Sequence, residues 1–530
     1  MKNSTLFQEA NINPKDELQS SLGNKLNRYI KRNMYQWHRI LGLITIIPVI
    51  FWTLSGLMHP FMSHWFKPSI PKEFLVAQPI QKEQCKLSIQ EVLDKNKIET
   101  IKKFRIVAWS NHTYYQVKKQ NGELIYFNAS NGKELINGDK IYAEWLARYF
   151  LQDQKSKLLD ISLQTEFSQH YKYINRLLPV WKLSFERADG IEIYVETASS
   201  RLGTFNTNTR KTFLSIFDIF HNWSFLESIS NNTLRVIMML LFLGIILFSS
   251  LSGLVIYGFL WKKFKKVSSK TSSQNLLRKY HRQIGIAVSF VTFTFAFSGA
   301  YHVTRKLEPN LLPEMVVEPD ITAFELQKSN MLLPVEWQRV SNISVVKMRK
   351  QSYYQVFLRA DEDKKATIEY FDANTGSILP QGNELYAKFL TKIFAKKIYE
   401  PELNISQCCE LSDISTGEAS TDLSNENLLK TKTLYAFDKR EYGFVFKRLP
   451  VVQLAYDTPN KDSYYIETAT SRLAAHVTNS DRAEGYSFAI LHKFSLMEWA
   501  GKNVRDITTM LAAMGVLVVS LLGFVLFIKK

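Results

Sequence analysis

Four stretches of this 530-residue chain, at roughly 38–60, 235–260, 281–303 and 505–528, are apolar for long enough to cross a bilayer, which takes about 20 helical residues. Hydrocarbon offers the backbone no hydrogen-bonding partner, so such segments are confined to helices. The first and third are interrupted by polar residues, and the first also by Pro48. That pattern suits helices with one face turned to a bundle interior. Two long polar segments, 61–234 and 304–504, separate the apolar stretches, together with a short basic connection at 261–280. A chain of this length exceeds one ordinary core. The fold expected is an α-helical membrane bundle of four transmembrane helices carrying two extracytoplasmic α+β domains.

The formal net charge of +18 is not spread as in a nucleic-acid-binding surface. Five basic residues and no acidic one lie between Gly23 and Arg39, eight and none between Trp261 and Arg282, and the chain ends Lys529-Lys530. Each cluster abuts an apolar run, the positive-inside signature of short cytoplasmic segments. Both termini, including the segment 1–36, are therefore expected in the cytoplasm and both long segments outside, periplasmic if the cell has two membranes. The protein is placed in a bacterial inner membrane, with no nucleic-acid partner. The polar first residues lack a signal-peptide cleavage pattern, so the run from Ile40 reads as a retained anchor. Cys85, Cys408 and Cys409 give neither a disulfide framework nor a CxxC pair, and the lack of CxxCH excludes covalent haem attachment.

The chain repeats itself. Trp37-His38-Arg39-Ile40-Leu41-Gly42 returns as Tyr280-His281-Arg282-Gln283-Ile284-Gly285, and Ser55-Gly56-Leu57-Met58-His59 as Ser298-Gly299-Ala300-Tyr301-His302, both at an offset of 243. Tyr114-Tyr115-Gln116-Val117 matches Tyr353-Tyr354-Gln355-Val356. Tyr194-Val195-Glu196-Thr197-Ala198 through Arg201 matches Tyr465-Ile466-Glu467-Thr468-Ala469 through Arg472. His221, Ser224 and Glu227 match His492, Ser495 and Glu498, by which point the offset has grown to 271. The 27 added residues fall around 401–433, which reads as a surface insertion. An even number of crossings per half gives both halves the same orientation, a parallel internal duplication. Alternating strands at Glu123–Phe127 and Ile368–Phe371, each before a Gly turn, and helical patches at Tyr142–Phe150 and Tyr386–Phe394, make the outer domains α+β.

Six of the ten histidines form three repeat-matched pairs: His38 with His281, His59 with His302, and His221 with His492. The other four, His64, His112, His170 and His476, have no counterpart. Twenty-one residues separate His38 from His59, about 31 Å of helix, so they mark opposite membrane edges. Zinc spacings such as HExxH are absent. Haem needs two imidazoles from different helices and an apolar slot. Gly42, Gly56, Gly285 and Gly299, with Ser55 and Ser298, are small enough either to admit a macrocycle or to pack helices closely. Arg39 and Arg282 suit haem propionates or positive-inside anchoring equally. Glu196 with Arg201, and Glu467 with Arg472, read as strand-to-turn salt bridges or as ligand contacts.

Trp37-His38-Arg39 through Gly42 and Ser55-Gly56-Leu57 resembles the opening helix of the PepSY-associated transmembrane family. The segments Phe127-Asn128-Ala129-Ser130-Asn131-Gly132 and Phe371-Asp372-Ala373-Asn374-Thr375-Gly376 resemble PepSY turns, with Asn128 in place of the usual Asp. The resemblance, from about residue 30 to the end, implies two PepSY-like outer domains. It also implies b-type haem on His38, His59, His221, His281, His302 and His492, as in inner-membrane ferric-siderophore reductases of the family. An axial pair on the pseudo-twofold would be His38 with His281; off-axis, His59 pairs with His221 or with His492. Six ligands suffice for three non-covalent bis-His haems, and two is the expected number. The function expected is a reductase passing electrons from a cytoplasmic reductant or quinol to a periplasmic ferric-siderophore. The alternative is a non-redox PepSY membrane protein that binds or regulates an extracytoplasmic peptidase or another partner. An iron-chelate transporter is disfavoured for want of a broken-helix site.

Overall fold

In a computed structural model of the chain, residues 14–229, 231–258, 273–307, 311–361, 366–400, 423, 427–438 and 441–529 are described. Most of the expected insertion, with Cys408 and Cys409, and residues 259–272 of the basic connection lie outside them. The chain forms two compact units. One comprises residues up to Phe66, Phe213–Glu308 and Glu484–Lys530; the other comprises Lys67–Thr212 and Pro309–Ala483.

The first unit is helical. Four segments are long and apolar enough to span a membrane: Arg32–Trp65, Asn232–Ile256, Leu276–Leu307 and Lys502–Ile528, matching the four expected stretches. The first helix runs through Pro48 without ending, and threonine and serine hydroxyls along it bond back to carbonyls one turn earlier, as Thr53 does to Val49 at 2.7 Å. Val49, Val236, Leu243, Ala296 and Val516, one or more from each helix, meet in a common core. The segments 213–229 and 484–501, expected in the outer domains, belong to this unit. They are short amphipathic helices whose aromatic residues, Phe217 and Phe488 among them, pack on histidines rather than in a soluble core. Just beyond them an ion pair recurs, Glu227 with Arg235 at 3.0 Å and Glu498 with Arg505 at 3.3 Å.

The second unit is α+β. Its centre is a seven-stranded antiparallel sheet in the order 378–379, 367–372, 351–358, 340–348, 103–109, 112–118, 124–128. The expected strand patches lie in it at Leu124–Asn128 and Thr367–Asp372, and the helical ones become Gly138–Leu151 and Gly382–Tyr399. The two outer segments thus share one sheet, where two separate domains were expected. They join at Ser344 opposite Arg105, helped by the Ser344 hydroxyl donating to the Phe104 carbonyl at 2.7 Å. Each meander ends in a PepSY-type turn. Asp372 Oδ1 accepts from the amides of Asn374 at 2.9 Å and Thr375 at 2.8 Å, and Asn128 Oδ1 accepts from the Ser130 amide at 2.9 Å. Asn therefore replaces Asp without loss, since only an acceptor oxygen is needed. Gly132 and Gly376 follow at φ of +70° and +75°, a left-handed backbone that favours glycine.

Two further four-stranded sheets, 158–206 and 428–477, complete the unit. Each is tied to its meander in the same way. Gln116 Nε2 donates to the Thr197 carbonyl and Gln355 Nε2 to that of Thr468, both at 3.0 Å. The expected salt bridges within each half are corrected. Glu196 and Arg201, and likewise Glu467 and Arg472, are cross-strand neighbours. Arg201 nevertheless pairs at 2.5 Å with Glu467, which also holds Arg448 at 2.8 Å, while Arg448 stands 4.0 Å from Glu196. Glu467 is wholly buried and Glu196 nearly so. A carboxylate so deprived of water needs more than one cation, and the neighbouring sheet supplies the second.

Candidate histidine pair and its surroundings

His38, on the first membrane helix, and His281, on the third, face each other with ring centroids 6.4 Å apart. His38 Nδ1 lies 3.0 Å from the Ser249 carbonyl oxygen, and His281 Nδ1 lies 3.0 Å from that of Val519. A carbonyl only accepts, so each Nδ1 carries a hydrogen, and it is the neutral form of each ring that has a lone pair on Nε2. A nitrogen ligating a metal sits about 2 Å from it. Adding about 1 Å from nitrogen to ring centre on each side, two imidazoles on opposite sides of one metal have centroids roughly 6 Å apart. The His38–His281 separation fits that requirement.

Glycines on the second and fourth helices make room for these rings. A Cβ on Gly253 would stand 3.1 Å from His38 Cε1, and one on Gly523 would stand 3.1 Å from His281 Cε1. Both glycines lie one turn beyond the accepting carbonyl, in Ser250-Leu251-Ser252-Gly253 and Ser520-Leu521-Leu522-Gly523. This repeat was overlooked in the sequence, although it is plain once the helices are aligned.

The other four histidines gather with two phenylalanines. Phe217 stacks on His221 at 4.5 Å and lies 5.8 Å from His59. Phe488 stacks on His492 at 4.7 Å and on His302 at 4.6 Å. Here too Nδ1 is engaged. His221 Nδ1 is 3.1 Å from Ser55 Oγ and His492 Nδ1 is 3.2 Å from Ser298 Oγ. Both hydroxyls already donate to carbonyls one turn earlier, Ser55 to Phe51 at 2.6 Å and Ser298 to Thr294 at 2.7 Å. Each serine oxygen must therefore accept from Nδ1–H, which again leaves Nε2 bare. His302 Nδ1 meets Glu484 Oε1 at 2.8 Å, and His59 Nδ1 meets Ser63 Oγ at 3.4 Å. Burial, then the nearby His492, pushes His221 down to about 3. Burial, then Lys493 and His302, pushes His492 down to about 4. Both rings are neutral near pH 7.

Ser55 and Ser298, read in the sequence as small residues, are instead the hydrogen-bond acceptors that orient His221 and His492. Gly42 and Gly56 serve no helix contact, since a Cβ on either would meet nothing within 4 Å. Gly285 approaches Val519 at 3.4 Å, and Gly299 lies 3.8 Å from Leu243 and 4.0 Å from His492. The Arg39 guanidinium lies over the Phe527 ring at 5.0 Å, and Arg282 adjoins His281 in the chain. Of the unmatched histidines, His64 also engages through Nδ1, with buried Asp506 at 3.0 Å, whereas His476 points Nε2, the opposite nitrogen, at Asp462 at 2.7 Å. Among the described residues no group of three or more His, Cys, Asp or Glu is placed to hold a bare metal ion.

The sequence profile described as the PepSY-associated TM region matches residues 100–530. The chain belongs to this family. The expected membership is thereby met, although the match begins after the first membrane helix, so His38 and His59 lie outside it. Comparison with curated proteins finds no match. Within this PepSY-associated TM protein, the chemistry available to the helical unit is that of imidazoles oriented through Nδ1, with Nε2 left to act as a ligand. The second nitrogen of each ring is held by a carbonyl, a hydroxyl or a carboxylate, the usual support for a metal-bound histidine.

Proposed function

We propose that this protein is a haem-containing inner-membrane reductase that passes electrons outward to a ferric-siderophore in the periplasm. The observation that carries the reading is the common orientation of all six repeat-matched histidines, Nδ1 committed and Nε2 bare, with His38 and His281 at bis-imidazole spacing. His38 and His281 would hold one b-type haem near the inner membrane edge. His59, His221, His302 and His492 are the candidates for a second, non-covalent and bis-His, near the outer edge. Bound haem supplies reversible one-electron transfer, tuned by its ligands and their hydrogen bonds.

The chain's own part is to present Nε2, exclude water and hold the rings still. The Ser249 and Val519 carbonyls fix the inner tautomers, Gly253 and Gly523 admit the rings, and Ser55, Ser298 and Glu484 orient the outer ones. Arg39 and Arg282 are candidate partners for propionates. A cytoplasmic reductant or quinol would supply one electron per Fe(III), and the Fe(II) formed is held less tightly by hard oxygen donors, so the chelate releases iron intact. The topology proposed has both termini cytoplasmic and residues 67–212 and 309–483 periplasmic. The parallel halves reflect an internal duplication, supported by the recurring carbonyl, glycine and ion-pair positions.

The visible spectrum of the full chain purified from haem-replete cells tests this. A reduced-minus-oxidised difference with bis-His b-type bands is expected. Protein without a Soret band would sink the reading in favour of a non-redox PepSY protein that binds an extracytoplasmic partner.

A further inference from the structure

His64 has no counterpart in the other half, where Leu307 stands at its position, so the duplication does not account for it. It lies five residues after His59, on a π-helical turn at Phe61–Trp65 where the Phe66 amide donates to the Phe61 carbonyl at 2.7 Å. Single π turns occur frequently at functional sites. His64 Nδ1 is 3.0 Å from Oδ2 of Asp506 on the fourth membrane helix. The Asp506 side chain is 11% exposed and that of His64 27%, so the carboxylate is hidden and the ring is reachable. Among the described residues Nε2 of His64 meets no hydrogen-bonding partner.

Asp506 is itself a departure from the repeat. At the offset of 271 its position in the first half is held by Arg235, which pairs with Glu227 at 3.0 Å. In the second half the arginine stands one residue earlier, as Arg505, and pairs with Glu498 at 3.3 Å and with Asp506 at 2.9 Å. The ion pair is kept, and a carboxylate aimed at His64 is added. Rings flank the site: Trp65 lies 5.9 Å from the His64 ring, and Phe61 5.1 Å from Trp65.

A histidine held through Nδ1 by a carboxylate, with Nε2 open, is equipped to take a proton from a hydroxyl, because the carboxylate stabilises the imidazolium that forms. This base stands at the end of a membrane-spanning segment, next to Ser63, whose hydroxyl touches His59. A ring-bearing hydroxyl compound that travels in the bilayer and gives up protons together with electrons is a quinol. On the topology proposed, a soluble cytoplasmic donor does not reach this edge.

We propose that His64 and Asp506 form a quinol-oxidising site at the outer membrane edge, with His64 as the base that touches the quinol and Asp506 as the residue that positions it. Oxidation of quinol to quinone breaks two O–H bonds and releases two protons and two electrons. Nε2 takes each proton in turn and passes it to water outside. The electrons leave singly and reduce two Fe(III) to Fe(II) by way of the haem of the reductase reading. The electron acceptor rests on that reading; the base and its carboxylate rest on the geometry.

The test mixes full-length protein, in lipid nanodiscs, with decylubiquinol and follows the b-type bands by stopped flow. Wild type should be reduced, and His64→Gln and Asp506→Asn reduced about a hundredfold more slowly, the loss expected for a positioned base. The Soret band and complete reduction by dithionite check that each variant is folded and loaded. Asp506→Asn keeps an acceptor for Nδ1 but not the charge, so a contact that merely ties two helices leaves the rate unmoved. His64→Gln, at a partly exposed ring, keeps the test decisive if the buried variant misfolds. A second readout needs no haem: quenching of tryptophan fluorescence by decylubiquinone in haem-free protein, saturable in wild type and about tenfold weaker in His64→Gln. Equal rates in wild type and folded His64→Gln overturn the proposal. So does a haem-bearing protein that dithionite reduces and decylubiquinol leaves oxidised; the reductase reading survives both results. A colourless protein that still binds decylubiquinone through His64 overturns the reductase reading and supports the site.

Discussion

The two halves of the helical unit hold their histidines in the same frame but support them differently. His38 Nδ1 has two acceptors, the Ser249 carbonyl and, at 2.9 Å, Ser252 Oγ, whereas for His281 the recorded acceptor is the Val519 carbonyl. At the other edge the inequality reverses: His302 leans on the carboxylate of Glu484 at 2.8 Å, and His59 on a serine at 3.4 Å. What both halves keep is the direction of the bare nitrogen; what they vary is the electron density behind it. A carboxylate acceptor makes an imidazole more basic than a hydroxyl does. Two rings alike in geometry can thus differ in donor strength.

That comparison is open to attack, and the largest effect comes first. His38→Ala and His281→Ala should each abolish the same b-type signal and spare any other, in haem quantified per protein. If only one of them matters, the two halves do not share a site. Next is the outer unit, where the buried carboxylates are unequal. Glu467→Gln should cost about 3–5 kcal/mol, because it strands the buried Arg448 guanidinium and the partly buried one of Arg201. Glu196→Gln should cost less, since Arg448 stands 4.0 Å from it and Arg201 belongs to Glu467. Thermal melting in detergent ranks the two. Burial works to raise the Glu467 carboxyl, but Arg201 and Arg448 hold it down to about 2. Its stabilisation is therefore full above the ordinary glutamate range and lost as pH falls toward about 2. The gap between wild type and Glu467→Gln should close across that interval, and a gap that widens on acidification would contradict the pairing.

A smaller effect is expected from Glu484→Gln, which should raise the midpoint potential of haem ligated by His302, while Ser63→Ala leaves potentials nearly unmoved. Redox titration distinguishes them, and equal shifts would mean that the two outer supports are equivalent. The smallest is Ser252→Ala, which should leave haem content intact because the Ser249 carbonyl still holds His38. A large loss would transfer that role to the hydroxyl.

The membrane helices were legible because hydropathy and length alone decide them, and the six histidines because they recur at fixed offsets. The PepSY turns were legible through Asp372 or Asn128 followed by glycine. What orients the histidines was harder to read. Two of the acceptors are backbone carbonyls, which every residue has, and only Gly253 and Gly523 one turn later betray them. Phe217 and Phe488, four residues before His221 and His492, were visible as a repeat but carry no chemistry of their own. The exchange of Arg201 to Glu467 was hidden, because strand register within one half points to a neighbour and cannot show that the other half's carboxylate lies closer. The shared sheet was hidden for the same reason: edge strands do not announce their partners.

That shared sheet has a mechanical consequence. Transporters built from two repeats work by rocking one repeat against the other. Here strands 340–348 and 103–109, one from each half, are neighbours in a single seven-stranded sheet, paired at Ser344 and Arg105. Rocking would have to tear that seam on every cycle. A seam of this kind holds the two halves of the outer unit in one sheet, which suits the proposed electron transfer better than a rocking cycle.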